Sequence, residues 1–98
     1  MKHVAYHRLA ASELIKSAKF YERRNPTLGE AFLCSVEATL RLIQRSPDCG
    51  KLGRFGTCSW KTKRFPFRIV YLEQPDRIWI VAVAHLSRRP DYWSRRLE

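Results

Sequence analysis

The sequence is poor in residue types that define whole classes of protein. It has three cysteines, Cys34, Cys49 and Cys58, an odd number without CxxC spacing, which argues against a disulfide framework and a structural zinc site. We expect reduced thiols and predict neither a metal nor a cofactor. No apolar run approaches the ~20 residues of a membrane span, and the start of the chain lacks the apolar segment of a signal peptide. We therefore expect a cytoplasmic location and no membrane partner.

Acidic residues are also scarce. The chain has 19 Lys and Arg against 9 Asp and Glu, for a formal net charge of +10. Residues 50–98 hold 11 of the basic and 4 of the acidic residues, so most of the excess lies in this half. A basic surface of this kind predicts polyanionic partners, and the alternative is a merely solvated basic surface.

The first half of the chain predicts two amphipathic helices. The whole chain of 98 residues is expected to form one domain, residues 1–98. It begins with a short β-prone stretch, and the spacing of apolar residues changes at His7. Apolar residues at three- and four-residue steps predict a helix over residues 8–24 and a second to about Arg45. We interpret residues 27–30 as the capping box that starts the second helix. Two helices joined by a short turn make an αα-hairpin that needs an apolar sheet to pack on.

The second half predicts a β-hairpin. Residues 61–72 and 78–85 are rich in β-formers, and Gln74-Pro75-Asp76 supplies the turn between them. Alternation places Arg68 on the face opposite Phe67 and Ile69. In the second strand it predicts one face of Ile78, Ile80, Ala82 and Ala84 and another of Trp79, Val81, Val83 and His85, as in an interior strand.

The predicted fold class is α+β. The element order is β-α-α-β-β-β, with one antiparallel sheet and the αα-hairpin on one face. Residues 48–59 are expected to form an irregular surface loop, and the end of the chain a short helix or a frayed tail. Cationic residues of the loop, the sheet and its rim are the candidates for contacts to nucleic acid: Lys51, Arg54, Arg64, Arg88 and Arg89.

Several motifs together resemble a known superfamily. They are Phe20-Tyr21-Glu22, Leu28-Gly29 with Phe32, the strand FPFRIVY at residues 65–71, and AVAH at 82–85 running into RPDYW at 89–93. Over nearly the whole chain they resemble the RelE/ParE superfamily of bacterial toxin–antitoxin toxins, also described as plasmid-stabilisation proteins. The resemblance implies a small antiparallel sheet with an αα-hairpin on one face and a basic cleft on the other. It also implies an antitoxin partner whose acidic or amphipathic segment wraps the toxin.

The branches of this superfamily differ in their targets. RelE-like members cut mRNA in the ribosomal A site, ParE-like members poison DNA gyrase, and some relatives have no known toxicity. Our leading hypothesis from the sequence is a metal-independent, ribosome-dependent mRNA endoribonuclease, an mRNA interferase that inhibits translation. The alternatives are a ParE-type inhibitor of DNA gyrase and a non-toxic relative that only binds an antitoxin.

The resemblance also implies roles for individual residues. Arg68 matches the RelE-type strand arginine that contacts the scissile phosphate, and Lys61 and Lys63 match the basic pair on the preceding strand. Tyr92 matches the tyrosine near the C-terminus, whereas Leu86 replaces a second arginine of RelE-type cleavers. These matches make Arg68, Lys61, Lys63 and Tyr92 the catalytic candidates.

His85 is a further catalytic candidate because imidazole titrates near neutral pH and the residue ends a predicted strand. Its structural alternative is a partly buried histidine that bonds the backbone of the tail. For Arg68 the alternative is an ion pair with Glu73 or Asp91. The lysines could be a solvated strand face, and the aromatic residues 92 and 93 could either stack on a base or anchor the tail to the sheet.

Overall fold

One five-stranded sheet and two helices make up the fold. The computed structural model describes residues 1–98. The strands are β1 (His3–Tyr6), β2 (Lys51–Leu52), β3 (Cys58–Lys61), β4 (Phe67–Glu73) and β5 (Arg77–His85), and the helices are α1 (Arg8–Arg24) and α2 (Pro26–Arg45). Short 3-10 turns occupy Pro47–Cys49, Arg54–Gly56 and Ser94–Leu97. Neither helix combines the length and the apolar character needed to cross a membrane.

The α+β class and the helical hairpin on one face of the sheet are confirmed. The strand order is β1-β5-β4-β3-β2. The sheet is mixed rather than wholly antiparallel, because β1 pairs in parallel with β5, from His3 opposite Arg77 to Tyr6 opposite Ile80. A parallel pair needs a long crossover, and the two helices and three strands between β1 and β5 provide it.

A single residue, Asn25, joins the two helices. Its backbone N–H closes the last turn of α1 on the carbonyl of Tyr21, and its side-chain oxygen accepts from the N–H of Thr27 at 3.0 Å. The capping box predicted at residues 27–30 is therefore wrong, since the cap is Asn25 and Pro26 occupies the first helical position. A proline fits there because it lacks the N–H that would otherwise need a partner.

His7 caps the start of α1. Its Nδ1 atom accepts a hydrogen bond from the N–H of Leu9 at 3.0 Å. Burial and the nearby charges of Arg96 and Arg8 lower the pKa of His7, although Glu13 opposes them. A protonated imidazole has no free Nδ1 lone pair, so the folded state favours the neutral form.

We predict that His7 makes stability depend on pH. Because its folded-state pKa lies below the ordinary value of 6.5, its contribution is present above that pH and is lost as the pH falls through the folded pKa. His7→Asn keeps a capping acceptor that does not titrate, so the wild type should lose up to about 1 kcal/mol relative to this variant between pH 7.5 and 5.5. Urea unfolding of both proteins at both pH values measures the difference. An equal loss of stability in the wild type and in His7→Asn would contradict the prediction.

The β4–β5 pair carries a β-bulge that the strict alternation missed. Val70 pairs with Ala82 and Tyr71 with Ile80, which leaves Val81 without a partner. An extra residue shifts the alternation by one, so Val81 and Ala82 both join the cluster away from the helices. The predicted faces hold for Ile78 to Val81 but are inverted for the residues from Ala82 to His85.

Two other predicted segments are also corrected. The stretch 61–72 is not one strand, because β3 ends at Lys61 and a turn at residues 62–66 precedes β4. The buried Thr62 hydroxyl holds this turn by donating to the carbonyl of Phe65 at 2.9 Å, and Arg64 has a positive φ of 74°. The predicted loop 48–59 contains β2 and the start of β3, which are too short to give a period.

The sheet has an apolar cluster on each face. On one face the helices bury eleven residues, with Phe32, Val36 and Ile43 of α2 against Phe67, Ile69 and Tyr71 among others. On the other face Trp93 is 6% exposed and packs with Val70, Val81, Ala82 and Ala84. Trp93 is thus the anchor of the C-terminal segment, residues 86–98, as one of the two sequence alternatives proposed.

Candidate functional site

A basic cleft of about 380 Å³ lies on the sheet face that the helices leave free. Its floor comes from β4 and the end of β5, one wall from residues 51–59, and the other from residues 86–93. Its cationic lining residues are Lys51, Arg68, Arg88 and Arg89. Asp91 is the one acidic residue of the lining. The cleft therefore suits an anionic ligand.

Arg68 lies on the cleft floor in a fixed position. It stands on β4, is half-buried, and donates from one guanidinium nitrogen to the Ser59 hydroxyl at 3.0 Å. The ion pair with Glu73 or Asp91, the structural alternative for Arg68, does not form, because Glu73 pairs with Lys2 at 2.8 Å and Asp91 pairs with Arg54 at 3.4 Å. Arg68 thus keeps donors that no carboxylate of the chain occupies.

The two cleft walls are linked, and the wall at residues 51–59 is locally strained. The Arg54–Asp91 ion pair connects residues 51–59 to the C-terminal segment, with the Arg54 side chain 72% exposed. Phe55 and Asp91 each adopt a φ of 60°, which Asp tolerates but a bulky side chain such as that of Phe rarely adopts. Such strain persists only where the surroundings enforce it, and it is concentrated at functional sites.

Tyr92 is held by α1. Its hydroxyl donates to Glu13 Oε2 at 2.7 Å, and the Arg88 guanidinium lies 3.8 Å from its ring centre. Burial, followed by the hydrogen bond to Glu13 and the charge of Glu13, raises the pKa of Tyr92. A phenol in this state is a poor proton donor to a ligand, so the geometry favours the anchoring alternative over catalysis.

His85 takes the position that its structural alternative predicted. Its Nδ1 accepts from the backbone N–H of Ser87 at 3.0 Å, and its ring lies edge-on to Phe67 at 5.1 Å. The residue is half-buried and also lines the cleft. The other imidazole nitrogen, Nε2, is the one left for a ligand.

Lys61, Lys63 and Arg64 lie elsewhere. Lys61 is opposite Arg68 in the β3–β4 register but does not line the cleft. All three line a second groove, of about 490 Å³, against α2. There the Ser35 hydroxyl fixes the turn by donating to the carbonyl of Lys63 at 2.6 Å. The predicted catalytic set is therefore divided between two surfaces.

A carboxylate that the sequence did not single out organises the C-terminal segment. Glu13 accepts from Tyr92, from both terminal nitrogens of Arg96 at 2.9 Å, and from the N–H of Val83 at 3.0 Å. Arg96 also donates to the carbonyl of Val81 at 3.0 Å. We call the side chains of Glu13, Tyr92 and Arg96 the Glu13 network. Glu13 lies outside the apolar stripe of α1, where charged residues are ordinarily solvated, so nothing in the sequence pointed to this role.

The network closes the strand edge that β1 leaves open. β1 pairs with β5 only as far as Ile80, after which the chain turns into α1. Backbone groups of Val81 and Val83 then lack a strand partner, and Glu13 and Arg96 supply the missing acceptor and donor. Burial alone would raise the pKa of Glu13, but the hydrogen bonds from Arg96, Tyr92 and Val83 outweigh it and lower the pKa.

No group of three or more His, Cys, Asp and Glu residues is arranged to hold a metal ion. The cleft offers guanidinium and ammonium groups, which bind anions and not cations. Its chemistry is therefore that of an anion-binding surface with one histidine at its rim.

Comparison with known proteins identifies the family. A family model described as the ParE toxin of the type II toxin–antitoxin system, parDE, matches residues 4–90. The chain belongs to the ParE toxin family. It is thus a toxin of a type II toxin–antitoxin system, and the resemblance to the RelE/ParE superfamily is confirmed.

One solved structure with the same fold is the chromosomal ParDE toxin–antitoxin system from P. aeruginosa. It matches with a TM-score of 0.64 and 16% sequence identity, covering 89% of this chain and 98% of that chain. At this identity the likeness shows the fold alone. A search among proteins of curated function finds no match.

Proposed function

We propose that this toxin inhibits DNA gyrase and that it binds its target without cleaving it. The observation that carries the proposal is the match of residues 4–90 to the ParE family, since ParE-like toxins act on gyrase and RelE-like toxins on mRNA. This was the alternative to our leading hypothesis from the sequence, the mRNA endoribonuclease. The comparison with P. aeruginosa ParDE contributes the fold only.

The geometry of the cleft supports binding over chemistry. Metal-independent RNA cleavage needs a base, an acid for the leaving group, and cations around the phosphate. Arg68 supplies a cation, but the Tyr92 hydroxyl is committed to Glu13, and Lys61 and Lys63 line a different groove. His85 alone would have to transfer protons in both directions.

An antitoxin and a cytoplasmic location complete the proposal. A toxin that stops an essential enzyme has to be neutralised in resting cells, and a net charge of +10 favours an acidic or amphipathic partner segment. Gyrase acts on chromosomal DNA, so the toxin would meet it in the cytoplasm.

The test is a supercoiling assay with purified gyrase, relaxed plasmid and ATP. We expect added toxin to abolish supercoiling, while a topoisomerase of another class, assayed with the same toxin, stays active. In cells, expression should stop DNA synthesis before translation and leave messages intact. Co-expression of the antitoxin should restore growth.

Other results would contradict this proposal in distinct ways. Cuts in translated messages with normal supercoiling would favour the endoribonuclease. No growth defect on expression without the antitoxin would favour a relative that only binds an antitoxin.

A further inference from the structure

The basic cleft has dimensions and chemistry that a nucleic-acid strand would match. Its volume of about 380 Å³ suits one or two nucleotide units rather than a protein domain. The planar fork of Arg68 is oriented by Ser59 and free of carboxylates, which is the arrangement that binds a phosphate through two parallel hydrogen bonds. Lys51, Arg88 and Arg89 add three further cationic groups to the same lining.

The rim of the cleft adds apolar contact area. Leu52 is 77% exposed and Phe55 is 59% exposed, on the wall that also carries Lys51 and Arg54. Phe55 has a φ of 60° and adjoins the cleft without lining it, and the Arg54 guanidinium lies 5.4 Å from its ring centre. Exposed aromatic rings beside cationic grooves are the platforms on which unpaired bases stack.

The Arg54–Asp91 ion pair stands between the walls. Asp91 is the one carboxylate of the lining, and its partner is exposed, so the pair is weak and opens at little cost. A phosphate entering beside Arg68 would offer Arg54 a second anion and would repel Asp91. A bound anion and Asp91 would therefore compete for Arg54.

We propose that the cleft binds the phosphodiester backbone of a single DNA strand, with Arg68 as the central phosphate contact and Asp91 as an internal competitor. The inference rests on the proposed function, because it makes the DNA held by gyrase a direct partner of the toxin. Phosphate is favoured over a protein carboxylate by the four cationic residues of the lining and by the exposed aromatic ring on the adjoining wall.

Two substitutions with opposite expected effects on DNA affinity test this assignment. The probe is a short fluorescein-labelled single-stranded DNA, titrated with the full chain and followed by fluorescence anisotropy. Arg68→Gln should weaken binding about tenfold and reduce the dependence of log K on log salt by about 0.7. Asp91→Asn should tighten binding by roughly threefold, since asparagine tolerates the positive φ and removes only the charge.

Matched controls separate the cleft from net charge. Arg41→Gln is the control for Arg68→Gln, because it removes one positive charge from the groove against α2. Asp76→Asn is the control for Asp91→Asn, because it removes one negative charge from the exposed β4–β5 turn. Both should leave affinity within about twofold of the wild type. Arg89→Gln, at an exposed position, repeats the Arg68 test if that variant fails to fold.

The outcomes are distinct from those of the gyrase assay. Equal losses for Arg68→Gln and Arg41→Gln, or binding confined to RNA of the same sequence, would overturn the DNA assignment. Gyrase inhibition without DNA binding would also overturn it and leave the proposed function standing. Cleft-dependent DNA binding without gyrase inhibition would support the cleft and refute the proposed function.

Discussion

Replacing Glu13 with alanine should destabilise the protein by about 3–5 kcal/mol, because it leaves a buried charge without its partner. The Arg96 and Glu13 side chains are only 12% and 16% exposed. Without the carboxylate, the guanidinium, the Tyr92 hydroxyl and the N–H of Val83 all lose an acceptor. Urea unfolding at pH 7 measures the loss.

The control is Glu22→Ala, the same substitution on the exposed side of the same helix, which should change stability by less than about 0.5 kcal/mol. The pH dependence gives a second check. Since the folded-state pKa of Glu13 lies below the ordinary value of 4.5, its contribution is complete above that pH and is lost as the pH falls through the folded pKa. The difference in free energy of unfolding between wild type and Glu13→Ala should therefore become smaller in acid. A difference that does not change with pH would contradict an ionic origin.

The second large effect is expected at Phe32. This side chain of α2 is fully buried, and its ring centre lies 5.0 to 5.4 Å from those of Tyr21, Phe65 and Phe67. Phe32→Ala removes the ring from a site that helices and sheet enclose, so we expect a loss of about 3–5 kcal/mol. In a domain of this size that corresponds to a fall in Tm of roughly 15–30 °C, measurable by circular dichroism.

Phe20→Ala is the matched control for Phe32. It removes the same ring from the other helix, where the residue is 50% exposed and contacts Tyr21 edge-on. We expect a loss near 1 kcal/mol, about the value of an aromatic pair. Similar losses for the two variants would mean that the aromatic cluster does not form the main core.

Much of the fold could be predicted because periodicity reports burial. Both helices and the central β-hairpin pack against an extended apolar surface, so their apolar patterns persist over many residues. The bounds of α1 and the apolar stripe of α2 could therefore be predicted. β2 has two residues and cannot show a period. The bulge at Val81 is a local insertion that both faces tolerate, because each face of β5 is apolar there.

The candidate site could be predicted only in part, for a different reason. The family resemblance and the charge pattern together singled out Arg68, Lys51, Arg88 and Arg89, which do line one cleft. They could not show that the turn at residues 62–66 carries Lys63 and Arg64 toward α2, since that depends on the buried hydroxyl of Thr62. Ser59 and Asp91 matter only through their contacts with Arg68 and Arg54, which lie elsewhere in the chain, and sequence spacing does not predict such contacts.

The open edge of β5 also bears on how the protein avoids self-association. Residues 80–84 read Ile-Val-Ala-Val-Ala, an uncharged apolar run without proline, and such runs favour cross-β stacking. β1 shields this strand only to Ile80. Beyond it, Glu13 and Arg96 occupy the backbone groups with which a second molecule would otherwise pair, and they place charges at the edge. The Glu13 network therefore blocks strand pairing at this edge, which we expect to oppose fibril formation, and it also tethers the C-terminal segment.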